Sequence, residues 1–138
     1  LGAYTYETLQ AVDDTPARGA ITRIDLAAPI FTGDPYLAMV SLGTTGIPLA
    51  SLYSPSDPRV LPLAVDDLLL GALTTGGAPH FFNLSGTLNG FGRAYLYFAV
   101  PSNPSLAGTS VHFAAVTIDG AAMSGVSSVS NRETLVIQ

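Results

Sequence analysis

The chain has 138 residues, 48% of them hydrophobic, with no cysteine and a net charge of −5. That length makes one domain able to bury a core without staples, and the missing cysteines exclude a disulfide framework and a cysteine-based zinc site. All five basic residues are arginines, Arg18, Arg23, Arg59, Arg93 and Arg132; so few scattered cations cannot line a phosphate backbone or form a polybasic patch, which argues against nucleic acid and anionic lipid as partners.

In chain order, Tyr4, Tyr6 and Thr8 alternate with Thr5, Glu7 and Leu9, a period of two that predicts a strand. Val12-Asp13-Asp14-Thr15-Pro16 follows as a turn signal. Residues 1–19 read as an N-terminal arm or extra strand, and residues 20–138 as the main domain. The start, Leu1-Gly2-Ala3-Tyr4, has neither a basic nor an apolar leader region, so no signal peptide is expected there. Ala20–Ala27 alternates again, with Ala20, Ile24 and Leu26 on one face and Arg23 and Asp25 on the other. Tyr36–Leu42 predicts a core strand. Pro48, Pro55, Pro58 and Pro62 exclude a helix or central strand between Ile47 and Pro62, leaving a long loop with a short edge segment near Leu49–Tyr53, then an edge strand over Leu61–Val65.

Asp66–Leu73 fits either a helical turn or a strand. His80–Leu88 predicts one continuous strand, closed by Asn89-Gly90, a good hairpin-turn pair. Arg93–Val100 and Ser110–Ile118 are so rich in aromatic, branched and small apolar residues that both predict strands covered on two faces. Thr134–Ile137 is the last strand. Eight or nine short strands separated by Gly/Pro turns predict an all-β fold, an antiparallel β-sandwich of Ig-like or jelly-roll-like type, with a closed barrel as the alternative. Three long uncharged stretches are each interrupted by Gly, Pro, Asn or Ser, so no membrane insertion is expected.

Three phrases of the sequence carry a resemblance. They are Leu37–Leu42 with Gly43-Thr44 and Gly46-Ile47-Pro48-Leu49; Gly92-Arg93-Ala94 leading into Val100-Pro101-Ser102-Asn103-Pro104-Ser105-Leu106-Ala107-Gly108; and Val129-Ser130-Asn131 before Thr134–Ile137. Over about residues 20–138 the chain resembles a β-sandwich accessory module that recurs in large secreted proteins of environmental bacteria. The resemblance implies an extracellular, non-catalytic module, and it carries no site residues over. Ser102-Asn103-Pro104 departs from the Asn-Asp-Pro usual in that turn.

The chemistry-bearing residues are few. His80 and His112 are the only histidines. His112 lies between Val111 and Phe113 and fits the outer face of a strand. Without a Gly-x-Ser-x-Gly elbow or a nucleophile–base pair, no enzyme is expected. Asp13-Asp14 and Asp66-Asp67 are adjacent and would point to opposite faces of a strand. Loop calcium would draw on Asp57, Asp66 and Asp67, yet no Asp-x-Asp-x-Asp-Gly loop is present, and no cofactor is expected. Asn83-Leu84-Ser85 is a glycosylation sequon, and Thr44-Thr45, Thr74-Thr75 and Ser127-Ser128 are hydroxyl pairs open to O-glycans. Asn131-Arg132-Glu133 reads as edge polarity. Tyr95 and Tyr97 share one strand face, a platform for a sugar or a subunit contact.

Charged residues make up only 11% of the chain, against about 25% in an average domain, while Ser and Thr number 25. Such a surface is expected to be hydroxyl-rich and glycosylated, or covered by neighbouring copies, and either points to the cell exterior. The expected function is a non-enzymatic structural subunit, extracellular or on a cell surface, that assembles with copies of itself into a filament or surface polymer. Its assembly residues would be Tyr4, Tyr6, Thr8 and Leu9, exchanged as a strand between neighbours. The alternatives are a carbohydrate-binding or adhesive module of a larger secreted protein, with glycans as partners, and a virion decoration protein.

Overall fold

The computed structural model describes residues 8–51, 56–121 and 125–138. Its elements run β1 (Thr8–Ala11), β2 (Ile21–Ala27), β3 (Pro35–Ser41), β4 (Ile47–Pro48), β5 (Val60–Leu61), α1 (Asp67–Thr75), β6 (Phe81–Phe82), β7 (Ser85–Thr87), β8 (Arg93–Ala99), β9 (Ser110–Ile118), β10 (Val126–Val129) and β11 (Glu133–Val136). Two antiparallel sheets pack as a β-sandwich. One has the order β1-β2-β8-β6; the other has the order β10-β9-β3-β7, with β11 also paired to β9. The alternation in β2 does what a half-buried strand requires: Thr22, Ile24 and Leu26 point inward and are buried, while Ile21, Arg23 and Asp25 face outward. Phe81, Phe98 and Phe113 meet in the core between the sheets. Phe81 stacks on Phe98 at 4.7 Å, and Phe113 sits edge-on to Phe81 at 5.8 Å.

A second, smaller core lies on the far side of the five-stranded sheet. There Met39, Ala114 and Val116 are covered by Ile47, Leu49, Leu61, Leu63 and Leu69. The short β4–β5 pair, its neighbours Leu49 and Leu63, and α1 therefore form a third layer over that sheet. β9 accordingly has a buried run on both faces, as its composition predicts. β8 does not: its residues alternate between exposed and buried, because nothing among the described residues covers the outer face of the four-stranded sheet. The two strands also belong to different sheets, so residues 100–109 arch across the end of the sandwich.

The continuous strand expected over His80–Leu88 is broken. Asn83 takes a left-handed conformation (φ 65°), and the chain crosses there from one sheet to the other. The Tyr36 hydroxyl donates to the Asn83 carbonyl at 2.8 Å, and Ala38 N–H donates to the Leu84 carbonyl at 2.6 Å. Asn89-Gly90 does form a turn, closed by Gly92 N–H donating to the Asn89 carbonyl. Its flanking strands, β7 and β8, lie in different sheets, so it is no hairpin. Gly92 (φ 70°) lies against the backbone of Ala28 and Pro29; a Cβ there would sit 2.6 Å from the Pro29 Cα. Asp66–Leu73 resolves as helix because Asp66 caps it. Its Oδ1 accepts from Leu69 N–H, and its Oδ2 accepts from Leu42 and Gly43 N–H. Gly76 ends the helix in the left-handed region.

Candidate functional site

Two features stand out on this frame: the bare outer face of the four-stranded sheet, and the way the N-terminal segment is held at its edge.

Register builds the face. Arg23 lies opposite Tyr97, Asp25 opposite Tyr95, and Phe82 opposite Tyr97 on the other side of β8. Val12 joins the same row through its N–H to the Arg23 carbonyl. The row Val12–Arg23–Tyr97–Phe82 thus crosses the whole sheet. Ile21 is 70% exposed, Phe82 46%, and Tyr95 and Tyr97 38% each. Arg23 is held in place: its Nε meets Asp25 Oδ1 at 2.7 Å, and its guanidinium carbon lies 5.2 Å from the centre of the Tyr95 ring. The hydrogen bond and charge of Asp25 hold the Arg23 guanidinium pKa above its ordinary value. Such a face offers flat rings, fixed donors and fixed acceptors to whatever lies on it. Tyr95 and Tyr97 share it as their spacing predicts. The contribution of Phe82 was not legible, because it depends on the break at Asn83.

At the edge, β1 pairs with β2 of its own chain, Thr8 opposite Ala27 and Leu9 opposite Leu26. Leu9 is buried in the main core, and the Thr8 hydroxyl reaches the Ala27 carbonyl. Tyr4 and Tyr6 lie outside the described residues. The free side of β1 is closed by side chains from the β10–β11 junction. Asn131 accepts from Leu9 N–H at 2.8 Å and donates to the Leu9 carbonyl at 2.9 Å, imitating a neighbouring strand; Glu133 accepts from Ala11 N–H at 2.8 Å. Asn131 and Glu133 are therefore more than edge polarity. Beyond β1 the segment moves to the other sheet, where Val136 N–H donates to the Asp14 carbonyl and Gln138 N–H to the Pro16 carbonyl. Residues 8–16 thus fill a slot between β2 and the end of the chain.

The remaining candidates are dispersed. Asn83 is exposed, and its Nδ2 donates to the Tyr95 carbonyl at 2.9 Å. His112 is half-buried, its Nδ1 2.8 Å from Thr134 Oγ1. Desolvation, then the positive charge of Arg132, lowers its pKa, while Asp66 opposes them. Asp57 is buried, both of its oxygens engaged by Arg59, and Asp66 is taken up by three amides; among the described residues no cluster of three or more His, Asp or Glu gathers around a common centre. Ser128 is buried and bonded to Thr117, and Thr74 and Thr75 bond back to the helix carbonyls. Among the described residues no helix is long and apolar enough to cross a membrane.

No family model and no curated protein matches the chain. Among solved structures it is similar to the ASH / PapD-like domain of human CEP192 (PapD-like domain 7), at 11% identity over 97% of this chain and 86% of that one, with a TM-score of 0.43. It is also similar to a DUF4466 family protein from Parabacteroides merdae, at 12% identity over 94% of this chain and 43% of that one, with a TM-score of 0.36.

Proposed function

We propose that the chain is a non-enzymatic, extracellular structural module that assembles with copies of itself by exchanging its N-terminal segment. The observation that carries this reading is the seating of residues 8–16. They fill a slot whose other walls, β2 and residues 131–138, all come later in the chain. A short turn at Ala17–Ala20, closed by Ala20 N–H to the Ala17 carbonyl, is the link between segment and slot. The same segment of a second copy would satisfy the same bonds, including the Asn131 clamp, so exchange needs no new chemistry. Low charge and the outward Ile21, Phe82 and Phe91 (81% exposed) add surface that a neighbouring copy would shield. The secreted-module resemblance is consistent with an exterior location.

Light scattering tests the reading. The intact chain is expected as an oligomer or polymer. The chain lacking residues 1–16 is expected as a smaller particle that takes up an added peptide of residues 1–16. If the deletion leaves mass and shape unchanged, the segment is not the linker. The face carrying Tyr95, Tyr97, Phe82 and Arg23 supports a second reading, a carbohydrate-binding module. It predicts binding of neutral oligosaccharides in titration calorimetry, lost in Tyr97→Ala.

A further inference from the structure

The chain has four asparagines, Asn83, Asn89, Asn103 and Asn131. In three of them the amide is tied up or the next residue cannot attack it. The Nδ2 of Asn83 donates to the Tyr95 carbonyl, and the residue that follows is the buried Leu84. Asn103 precedes Pro104, which has no N–H. Asn131 spends both ends of its amide on Leu9. Asn89 differs on every count. It is exposed and is followed by the equally exposed Gly90, whose backbone N–H makes no hydrogen bond among the described residues. Its Nδ2 makes none either, whereas its Oδ1 accepts from Phe91 N–H at 2.8 Å and from Arg93 N–H at 3.0 Å. A side-chain amide polarised through its oxygen, with its nitrogen free, thus sits beside an unhindered and unbonded backbone nitrogen.

We propose that Asn89 is a site of self-modification, at which the Gly90 nitrogen attacks the Asn89 side chain and its amide becomes a carboxylate. Water is the one co-reactant. Gly90 N gives its proton to solvent and forms a bond to Asn89 Cγ; the displaced electron pair moves onto Oδ1, where the two N–H donors meet the developing charge. The Cγ–Nδ2 bond then breaks, and Nδ2 takes a proton from solvent and leaves as ammonia. Water opens the resulting cyclic imide. Opening at Cγ yields aspartate; opening at the main-chain carbonyl carbon yields isoaspartate. Either product adds one negative charge to a chain of net charge −5. Aspartate keeps an oxygen for both N–H groups. Isoaspartate adds a carbon to the backbone between Asn89, whose N–H donates to the Arg93 carbonyl, and Gly92, which is packed against Ala28 and Pro29. That product therefore loosens the turn that leads into β8. The site is independent of the N-terminal slot and of the outer sheet face.

Incubating the folded full chain in mildly alkaline buffer, then mapping its peptides by tandem mass spectrometry, tests the proposal. Asn89 should gain the mass difference between an amide and an acid, in two isomeric products, while Asn83, Asn103 and Asn131 stay unchanged. Gly90→Ala should slow the conversion about tenfold or more, because a Cβ crowds the attacking nitrogen. That variant keeps the fold, since the added Cβ meets nothing within 4 Å and Gly90 is not in the left-handed region. The chain unfolded in urea supplies the rate of the Asn-Gly pair without the Phe91 and Arg93 donors in place, and the folded chain should match or exceed it. Four results overturn the proposal: an intact Asn89, another asparagine converting as fast, no slowing in Gly90→Ala, or a folded rate below the urea rate.

Discussion

The two sheets are made of similar residues and meet opposite fates on their outer faces. The five-stranded sheet carries a third layer, so β9 is buried on both sides. Among the described residues the four-stranded sheet carries none, and β8 alternates rings and arginine outward with apolar residues inward. Neither strand's own sequence distinguishes the two: Tyr-Leu-Tyr-Phe reads as apolar as Phe-Ala-Ala-Val. What differs is whether distant elements, the β4–β5 pair and α1, fold back over the sheet. Burial on the second face is therefore a tertiary property, and the face left bare is where a partner has room.

The sharpest way to break this comparison is to truncate one apolar residue in each outer layer. Leu63 is fully buried above the five-stranded sheet, and Leu63→Ala should cost about 2–5 kcal/mol in chemical denaturation. Ile21 is equally apolar but stands on the bare face, and Ile21→Ala should stay within about 0.5 kcal/mol. Equal losses would mean that the four-stranded sheet is covered after all. A smaller loss than Leu63→Ala is expected from Gly92→Ala. That substitution forces a Cβ against the Pro29 backbone at a left-handed position, at a cost of about 1–3 kcal/mol.

Much of the sandwich was legible because strands announce themselves by period. The alternation of Ala20–Ala27 located β2 and placed Arg23 and Asp25 outward, and the spacing of Tyr95 and Tyr97 put both on one face. The helix was ambiguous because Asp66-Asp67-Leu68-Leu69-Leu70 is too short to show a period; its cap bonds to Leu42 and Gly43 are invisible in sequence. The break at Asn83 was hidden because the left-handed backbone there is stabilised by its surroundings, including Tyr36, 47 positions away. The edge clamp was hidden for the same reason on a larger scale, since Asn131 and Leu9 are 122 positions apart.

That clamp gives the next prediction in size. Asn131→Ala leaves the Leu9 N–H and carbonyl to water or to nothing and should cost about 1–2 kcal/mol. It should also speed amide exchange at Leu9 and Ala11 more than at Ile24 or Leu26, because β2 keeps its bonds to β8. Uniform acceleration across both strands would mean that β1 is held by the sheet rather than by its side-chain clamp.

The smallest effect separates the covered sheet from the bare one by pH. His112 sits beneath the outer layer of the five-stranded sheet, bonded to Thr134. Burial first, and Arg132 second, lower its pKa below the ordinary 6.5, against the pull of Asp66. The folded protein thus resists protonating this ring more than the unfolded chain does. The stability that follows is whole above pH 6.5, where the ring is neutral in both states, and is lost as the pH falls through the folded-state value. Replacing the ring by His112→Gln should flatten the decline in stability between pH 7 and pH 5. If the variant and the unaltered protein decline alike, the acid sensitivity lies in other groups and burial does not hold down the His112 pKa.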